Sequence, residues 1–99
     1  MTNETETDTT YNGWANRATW NVNLWIQNDE GFYGHARDLM EAWNDDCYGT
    51  LEESFDERAA LEVCHEIFGS WKTPDGDSLH DADMSAIADA LVELWRENR

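Results

Sequence analysis

Apolar residues recur three and four positions apart in three stretches of the chain, at roughly 30–44, 51–70 and 80–97. Residues with this spacing lie on one face of an α-helix, so each stretch predicts an amphipathic helix with one buried side. The predicted buried positions are Phe32, Ala36, Leu39, Met40 and Trp43, then Leu51, Phe55, Leu61, Cys64, Phe68 and Trp71, and finally Met84, Ile87, Ala88, Leu91 and Trp95.

Residues that begin or interrupt helices stand between these stretches. Asp29 is suited to cap the first helix, and Thr50 with a glutamate three residues later forms a capping box. Residues 72–78, KTPDGDS, predict a turn from their Pro, Gly and Asp content. Ser78 or Asp81 is suited to cap the last helix. The connections are therefore short, as in helix bundles.

The segment 17–28 fits two kinds of secondary structure. Asn16 is a suitable N-cap for a helix that begins at Arg17. However, every second residue from position 20 to position 26 is apolar, which is the period of a strand. These residues are Trp20, Val22, Leu24 and Ile26. We favour the helix, because three helices follow and a strand without a partner would leave its backbone hydrogen bonds unmade. In that helix, Trp20 and Leu24 share the buried face.

The domain organisation follows from length and local composition. Residues 1–10 consist mostly of Thr and acids, with Met1 as their one apolar residue, and predict a disordered acidic tail. Residues 11–99 then form a single helical domain. We therefore predict an all-α fold, a small bundle of about four helices with a disordered acidic N-terminal tail. Because aliphatic residues are few and tryptophans number six, we expect an aromatic-heavy core.

The charge of the chain restricts its partners. There are 22 acidic residues against 6 basic ones, a formal net charge of −16. This charge argues against direct binding to nucleic acid, because a phosphate backbone attracts basic residues. The composition resembles that of proteins from extreme halophiles, whose carboxylates hold water and diffuse cations in molar salt. In low salt the same charge destabilises the compact state.

The sequence lacks the usual marks of export and of membrane insertion. No apolar run approaches the roughly 18 residues of a membrane-spanning helix, so we expect no membrane as a partner. The first ten residues lack the basic and then apolar pattern of a signal peptide. Two cysteines are too few for a disulfide scaffold. We therefore expect a cytoplasmic protein.

Side chains that bind metals or act as nucleophiles are present, but their spacing matches no common site. Cys47, Cys64, His65 and His80 lack the paired spacing of a zinc site. Cys64 and His65 are neighbours in a helix and point about 100° apart, which suits a catalytic pair poorly. The four aspartates within 75–83 lack the EF-hand pattern. We therefore predict no enzymatic activity, no cofactor and no bound metal ion.

Acidic side chains also form rows at helical spacing. Neighbours three or four positions apart lie about 5–6 Å from each other, an interval comparable to the charge spacing of a nucleic-acid strand. Such rows would let a protein occupy the cleft of a nuclease or repressor. A solvated halophilic surface explains the same rows, and we favour it because acids occur on all helices. The rows are Glu53 and Glu57, Glu62 and Glu66, and Asp38, Glu41 and Asp45.

Residues 11–28 contain no acid, whereas they hold five asparagines and three of the six tryptophans. The string YNGWANRATWNVNLWIQNDEG, residues 11–31, has the pattern YNGW, Asn, two variable residues, TW-x-V-x-LW and an Asn-acid-Gly turn. This pattern resembles the signature of a small-protein family found in phages, archaeal viruses and their hosts. The resemblance implies a viral or mobile-element context, and in that case we expect the protein in the cytoplasm of the host. It implies no activity and no catalytic residue, because that family has no known function.

The side chains of this acid-free stretch have two interpretations. In one, the tryptophans pack in the core and the asparagines cap and brace turns. In the other, they form an exposed, nearly neutral patch that binds a like-charged protein or a second copy of the chain, with Trp25 turned away from Trp20. The residues of this patch would be Trp14, Arg17, Asn21, Trp25 and Asn28.

The sequence therefore favours a non-enzymatic protein-interaction module of a haloarchaeon, or of its virus or mobile element. Such a module would act through the patch on a protein partner or on itself. The alternative is a DNA mimic that inhibits a nucleic-acid-binding enzyme of the host.

Overall fold

The computed structural model describes residues 16–47 and 49–98. Within this part of the chain all regular structure is helical, which confirms the all-α prediction. The helices are α1 (Arg17–Asn28), α2 (Glu30–Asp46), α3 (Leu51–Ser54), α4 (Glu57–Phe68) and α5 (Met84–Glu97), and a 3-10 helix covers Leu79–Asp81. None of these helices is long and apolar enough to cross a membrane. The tail predicted for residues 1–10 lies outside the described residues.

Asn16 and Asp29 begin the first two helices, as the sequence predicts. Asn16 Oδ1 accepts a hydrogen bond from the backbone N–H of Thr19 at 2.9 Å, and Asp29 Oδ1 accepts one from Phe32 at 3.0 Å. Such caps satisfy N–H groups that lack a partner inside the helix, and each stabilises by about 1 kcal/mol. The segment 17–28 is therefore a helix and not a strand.

The stretch 51–70, expected as one helix, is divided in two. The predicted capping box of Thr50 and Glu53 is present and begins α3. That helix has 4 residues, because Asp56 adopts an extended backbone and caps the next helix. Its Oδ1 accepts a hydrogen bond from the Ala59 N–H at 2.9 Å. Aspartate is more favourable as a cap than inside a helix, which explains the interruption.

This interruption changes one predicted row of acids. Glu53 lies in α3 and Glu57 begins α4, so the two are not neighbours on one helix face, and that part of the prediction was wrong. Glu62 and Glu66 both lie on α4 and are exposed, as expected. The break also turns Phe55 into the core, where it is buried.

The last helix begins later than predicted and has a different cap. Asp83 caps α5, where its Oδ1 accepts hydrogen bonds from Ser85 and Ala86. Ser78 caps the preceding 3-10 helix instead, through a bond from the His80 N–H at 3.2 Å. The prediction that Ser78 or Asp81 caps the last helix was therefore wrong, because the 3-10 turn intervenes.

The core lies where α2, α4 and α5 meet, and α1 packs across α2 and α5. Aromatic side chains contribute to the core as expected, with Phe55 and Trp95 buried and Phe32, Tyr33, Trp43 and Phe68 packed against it, whereas Trp71 is 45% exposed. Aliphatic side chains and Met40 fill the centre. The largest fully buried side chains are Ile26, Met40, Leu51, Leu79, Ile87, Leu91, Val22, Val63, Asn21, Thr19 and Cys64.

The buried face of α1 also differs from the prediction. Val22 and Ile26, four positions apart, are 0% and 2% exposed. Trp20 and Leu24, which we expected on the buried face, are half-buried on its outer side. The reason lies in the contacts that α1 makes with a distant loop.

Candidate functional site

α1 packs against the segment that joins α4 to α5, which we call the aspartate loop, residues 72–83. An antiparallel bridge between Lys72 and Ser78 closes the base of this loop. Inside it, the Asp77 N–H donates to Thr73 Oγ1 at 3.1 Å, and the Thr73 N–H donates to the Asp77 carbonyl at 2.9 Å. The turn that the sequence predicts is therefore held by its own hydrogen bonds.

Two carboxylates of the aspartate loop bind side chains of α1. Asp75 Oδ2 accepts a hydrogen bond from Asn21 Nδ2 at 2.8 Å and one from Trp25 Nε1 at 3.0 Å. Arg17 Nε donates to Asp77 Oδ2 at 3.1 Å. Because Asn21 is fully buried, its bond to Asp75 selects the face of α1 that turns inward.

A second set of bonds joins the start of α1 to the end of the same loop. Thr19 Oγ1 donates to Asn16 Oδ1 at 2.7 Å and accepts from the Asp83 N–H at 2.7 Å. Asn16 Nδ2 donates to the Asp81 carbonyl at 3.0 Å. Thr19 is fully buried. One hydroxyl therefore connects the N-terminal ends of α1 and α5.

An exposed indole next to the aspartate loop stacks with two imidazoles. The ring centroids of Trp71 and His65 are 3.9 Å apart with planes at 24°, and those of Trp71 and His80 are 5.2 Å apart at 28°. The Leu79 N–H donates to the Trp71 carbonyl at 2.8 Å, which fixes the backbone beside the stack. Sequence spacing offered no signal for this arrangement, because the three residues belong to different elements.

An open pocket of about 410 Å³ adjoins the stack, and His80 lines it. We call it the His80 pocket. Its other lining residues divide into an apolar floor and a charged rim. The floor is Leu61, Leu79, Ala82 and Met84, and the rim is Glu57, Arg58 and Asp83.

The cysteines give no indication of a reactive centre. Burial raises the pKa of the Cys64 thiol to about 12, so the thiol stays protonated near neutral pH. Cys47 is half-buried, and its Sγ lies 3.3 Å from the carbonyl of Asn44.

Within residues 16–47 and 49–98, no three His, Cys, Asp or Glu side chains form a group suited to a metal ion.

Comparison with known proteins places the chain in a family. Residues 7–97 match the family described as a family of unknown function (DUF7249). The chain belongs to this family. The match includes the motif segment 11–31 and helices α1 to α5. No curated protein and no solved structure matches the chain.

In this DUF7249 chain, the patch predicted on residues 11–28 is largely occupied by intramolecular contacts. Asn21 is fully buried, so its predicted exposure was wrong. Arg17 is paired with Asp77, and Trp25 is half-buried, with its ring centroid 6.2 Å from that of Phe32. The physical reason is that the donors of α1 meet the carboxylates of the aspartate loop. An acid on this side of α1 would face them, which explains the acid-free composition.

Three described members of the predicted patch remain at or near the surface: Arg17 and Asn28 are exposed, and Trp25 is half-buried. Leu24, Trp25, Asn28 and Asp29 line an open pocket of about 280 Å³ on the outer side of α1. Asn28 is exposed, and its Nδ2 donates to the Leu24 carbonyl at 2.9 Å. Trp14 lies outside the described residues. Trp25 therefore lies next to Asn28 at this pocket, while its indole N–H shares one oxygen of Asp75 with the buried amide of Asn21.

The acids of the DUF7249 chain are almost all at the surface. Seventeen of the nineteen carboxylate side chains in the described residues are exposed, on α2, α3, α4, α5 and the aspartate loop. Three basic side chains are already paired within the fold: Arg17 with Asp77, Arg37 with Asp38, and Arg96 with Glu52 and Glu93. The described surface therefore presents many carboxylates and few unpaired cations.

Replacement of Asp75 should lower the stability of this DUF7249 chain. Hydrogen bonds from Asn21 and then Trp25, with the nearby charge of Arg17, hold the pKa of Asp75 below its ordinary value of 3.8. Asn21 Oδ1 has no partner in the described structure, so Asp75→Ala would leave both polar ends of a buried amide unsatisfied. We expect the melting temperature to fall by several degrees. Asp81→Ala, which removes an exposed carboxylate from the same loop, is the matched control and should change it little.

The same prediction has a pH dependence with a definite sign. Because the folded-state pKa of Asp75 is lowered, its contribution to stability is present above the unfolded value and is lost as the pH falls through the folded value. The difference in melting temperature between the native chain and Asp75→Ala should therefore shrink below pH 3.8. A difference that persists unchanged into acid would contradict the role assigned to this carboxylate.

Proposed function

We propose that this chain is a non-enzymatic protein-interaction module that binds a basic, nucleic-acid-binding protein through its acidic surface. The observation that carries the proposal is that two predicted rows of acids are exposed at helical spacing: Glu62 and Glu66 on α4, and Asp38, Glu41 and Asp45 on α2. A protein surface that binds nucleic acid is rich in Lys and Arg. The negative charge of this chain is complementary to such a basic surface. The proposal replaces the patch on α1 as the main binding surface, because Asp75 engages the two side chains at its centre, Asn21 and Trp25.

The pairing of the chain's own cations supports a basic partner. The guanidinium groups of Arg17, Arg37 and Arg96 lie within 4.0 Å of carboxylates, and Arg96 contacts two of them at 2.7 Å. The charge of the remaining carboxylates is compensated by solvent cations or by a partner. Binding of a basic protein would release these cations, which favours association at low and moderate salt.

We place this function in the cytoplasm of a haloarchaeon, or of the host of a halophilic virus or mobile element. The composition, with a net charge of −16 and one lysine beside five arginines, supports this setting. In molar salt the Debye length is about 3 Å, so long-range attraction is screened and charged groups act through close contacts. A partner would then be recognised by shape and by individual side chains rather than by the overall field.

A displacement assay tests the proposal. The probe is a fluorescent DNA duplex bound to a purified basic DNA-binding protein, and the chain is added at several KCl concentrations. We expect the chain to displace the duplex, with an apparent affinity that falls steeply as salt rises. Failure to displace the duplex at any salt that keeps the chain folded would overturn the proposal.

A matched pair of variants separates specific contacts from net charge. Glu62→Lys with Glu66→Lys reverses two exposed acids on α4, and Glu4→Lys with Glu6→Lys makes the same change of charge near the N-terminus. We expect the first pair to weaken displacement by about tenfold, a loss of about 1.4 kcal/mol, and the second pair to have a smaller effect. Equal losses from both pairs would show that the net charge acts without a defined surface.

A further inference from the structure

The floor of the His80 pocket offers apolar surface at the meeting point of two helices. Glu57 begins α4 and Met84 begins α5, and both line the pocket. Leu79 lies fully buried beneath the floor, so the apolar surface that a ligand can reach is mainly that of the half-buried Leu61 and Ala82. The pocket has a volume of about 410 Å³ and is open to solvent, so a long side chain can lie along it.

One wall of the pocket is an aromatic ring that stacks on a neighbouring indole. His80 is exposed, and its ring stacks with that of Trp71, which in turn stacks with His65. The backbone N–H of His80 donates to Ser78 Oγ at 3.2 Å, within the 3-10 helix. An imidazole that is ordered in this way presents a planar face to a flat ligand without a large loss of side-chain entropy on binding.

The rim supplies acceptors for a cation. Glu57 is exposed at the mouth of the pocket. Asp83 caps α5 through Oδ1, which accepts hydrogen bonds from the backbone N–H groups of Ser85 and Ala86. Its other oxygen, Oδ2, can accept from a further donor. Arg58 contributes one positive charge, so the two carboxylates still give the rim a net charge of −1. The pocket thus combines an apolar floor, a planar ring and two carboxylates.

From this combination we infer that the His80 pocket receives an arginine side chain of the basic partner, an inference that rests on the proposed function. The guanidinium group lies on the imidazole of His80 and donates to Glu57 and Asp83, while the aliphatic stem covers the floor. Arginine fits better than lysine, because its planar cation stacks on aromatic rings, donates to two carboxylates at once and is weakly hydrated. These close contacts also persist in high salt better than long-range attraction.

The experiment uses N-acetyl-arginine amide as the probe and NMR titration of the full chain, at the lowest KCl concentration that keeps it helical. We expect saturable shifts centred on His80, Leu61 and Met84. N-acetyl-citrulline amide, which has the same shape without the charge, should bind much more weakly. Shifts spread evenly over the acidic helices, or equal shifts with both amides, would overturn the inference.

Variants then test whether the ligand binds in the His80 pocket and whether its charge is positive. His80→Ala should weaken binding of the arginine amide by about fivefold, as expected for loss of a stacking contact, whereas His35→Ala on α2 removes an exposed imidazole elsewhere and should leave it unchanged. Arg58→Gln should strengthen binding, because it removes a like charge from the rim. A weaker affinity in Arg58→Gln would indicate an anion site and overturn the inference.

The displacement assay distinguishes this inference from the proposed function. If the chain displaces the duplex but the arginine amide does not enter the His80 pocket, the inference fails and the proposed function stands. If the amide enters the pocket but the chain displaces no duplex, the proposed function fails, and with it the assignment of the arginine to a nucleic-acid-binding partner. Weaker displacement by His80→Ala, with His35→Ala unchanged, supports both.

Discussion

Transfer of the chain from molar KCl to a salt-free buffer at neutral pH should unfold it, with loss of most of the helical signal in far-UV circular dichroism. The chain has a net charge of −16 on 99 residues, so its carboxylates repel each other, and the salt concentration sets the range of this repulsion. The Debye length is about 3 Å at 1 M and about 30 Å at 0.01 M, so neighbouring carboxylates stop being screened when salt is removed. Salt also strengthens the burial of apolar surface, on which a small core depends.

Two controls separate screening from burial. Sucrose favours the compact state without screening charge, so it should restore much less helix than KCl does if repulsion is the main cause. Acidification to about pH 4 in low salt should restore part of the helix, because protonated carboxylates no longer repel each other. Equal helicity and an equal melting temperature across the whole range of salt would contradict the halophilic interpretation.

Ile26→Ala should be among the most destabilising single changes in α1. Ile26 is 2% exposed and belongs to the central core, and a truncation of this kind costs about 2–5 kcal/mol. In a domain of this size, each 1 kcal/mol lowers the melting temperature by about 4–8 °C. Urea is the suitable denaturant at constant molar KCl, because it is uncharged, and the midpoint should fall at an unchanged slope.

Leu24→Ala is the matched control, since it removes the same number of carbons from the half-buried outer side of α1. We expect it to cost clearly less than Ile26→Ala. A greater loss of stability in Leu24→Ala would mean that α1 buries the stripe of Trp20 and Leu24, as the sequence alone suggested. The pair therefore tests the orientation of the helix and not only its presence.

The sequence was sufficient for the parts of the fold that depend on local interactions. The caps at Asn16 and Asp29, the capping box at Thr50 and the turn at 72–78 are each present in the structure. A cap or a turn involves residues at most a few positions apart, so its free energy is set by the neighbouring sequence. The helical period of 84–97 likewise determined the buried face of α5.

The sequence was not sufficient for the orientation of α1, because this helix carries apolar residues on every side. Trp20, Val22, Leu24 and Ile26 offer two alternative buried stripes, and periodicity does not choose between them. Asp75, fifty-four positions after Asn21, decides the choice by binding its buried amide. The same carboxylate engages two residues of the predicted patch, Asn21 and Trp25, whereas Arg17 and Asn28 are exposed.

The candidate binding site depends even more on tertiary structure. His65, Trp71 and His80 belong to α4, the following turn and the 3-10 helix, and no spacing in the sequence relates them. The sequence alone determined the charge, the helices and their caps, because these depend on composition and on near neighbours. The tertiary structure alone decided which side chains meet across the bundle, since that depends on contacts between residues far apart in the chain.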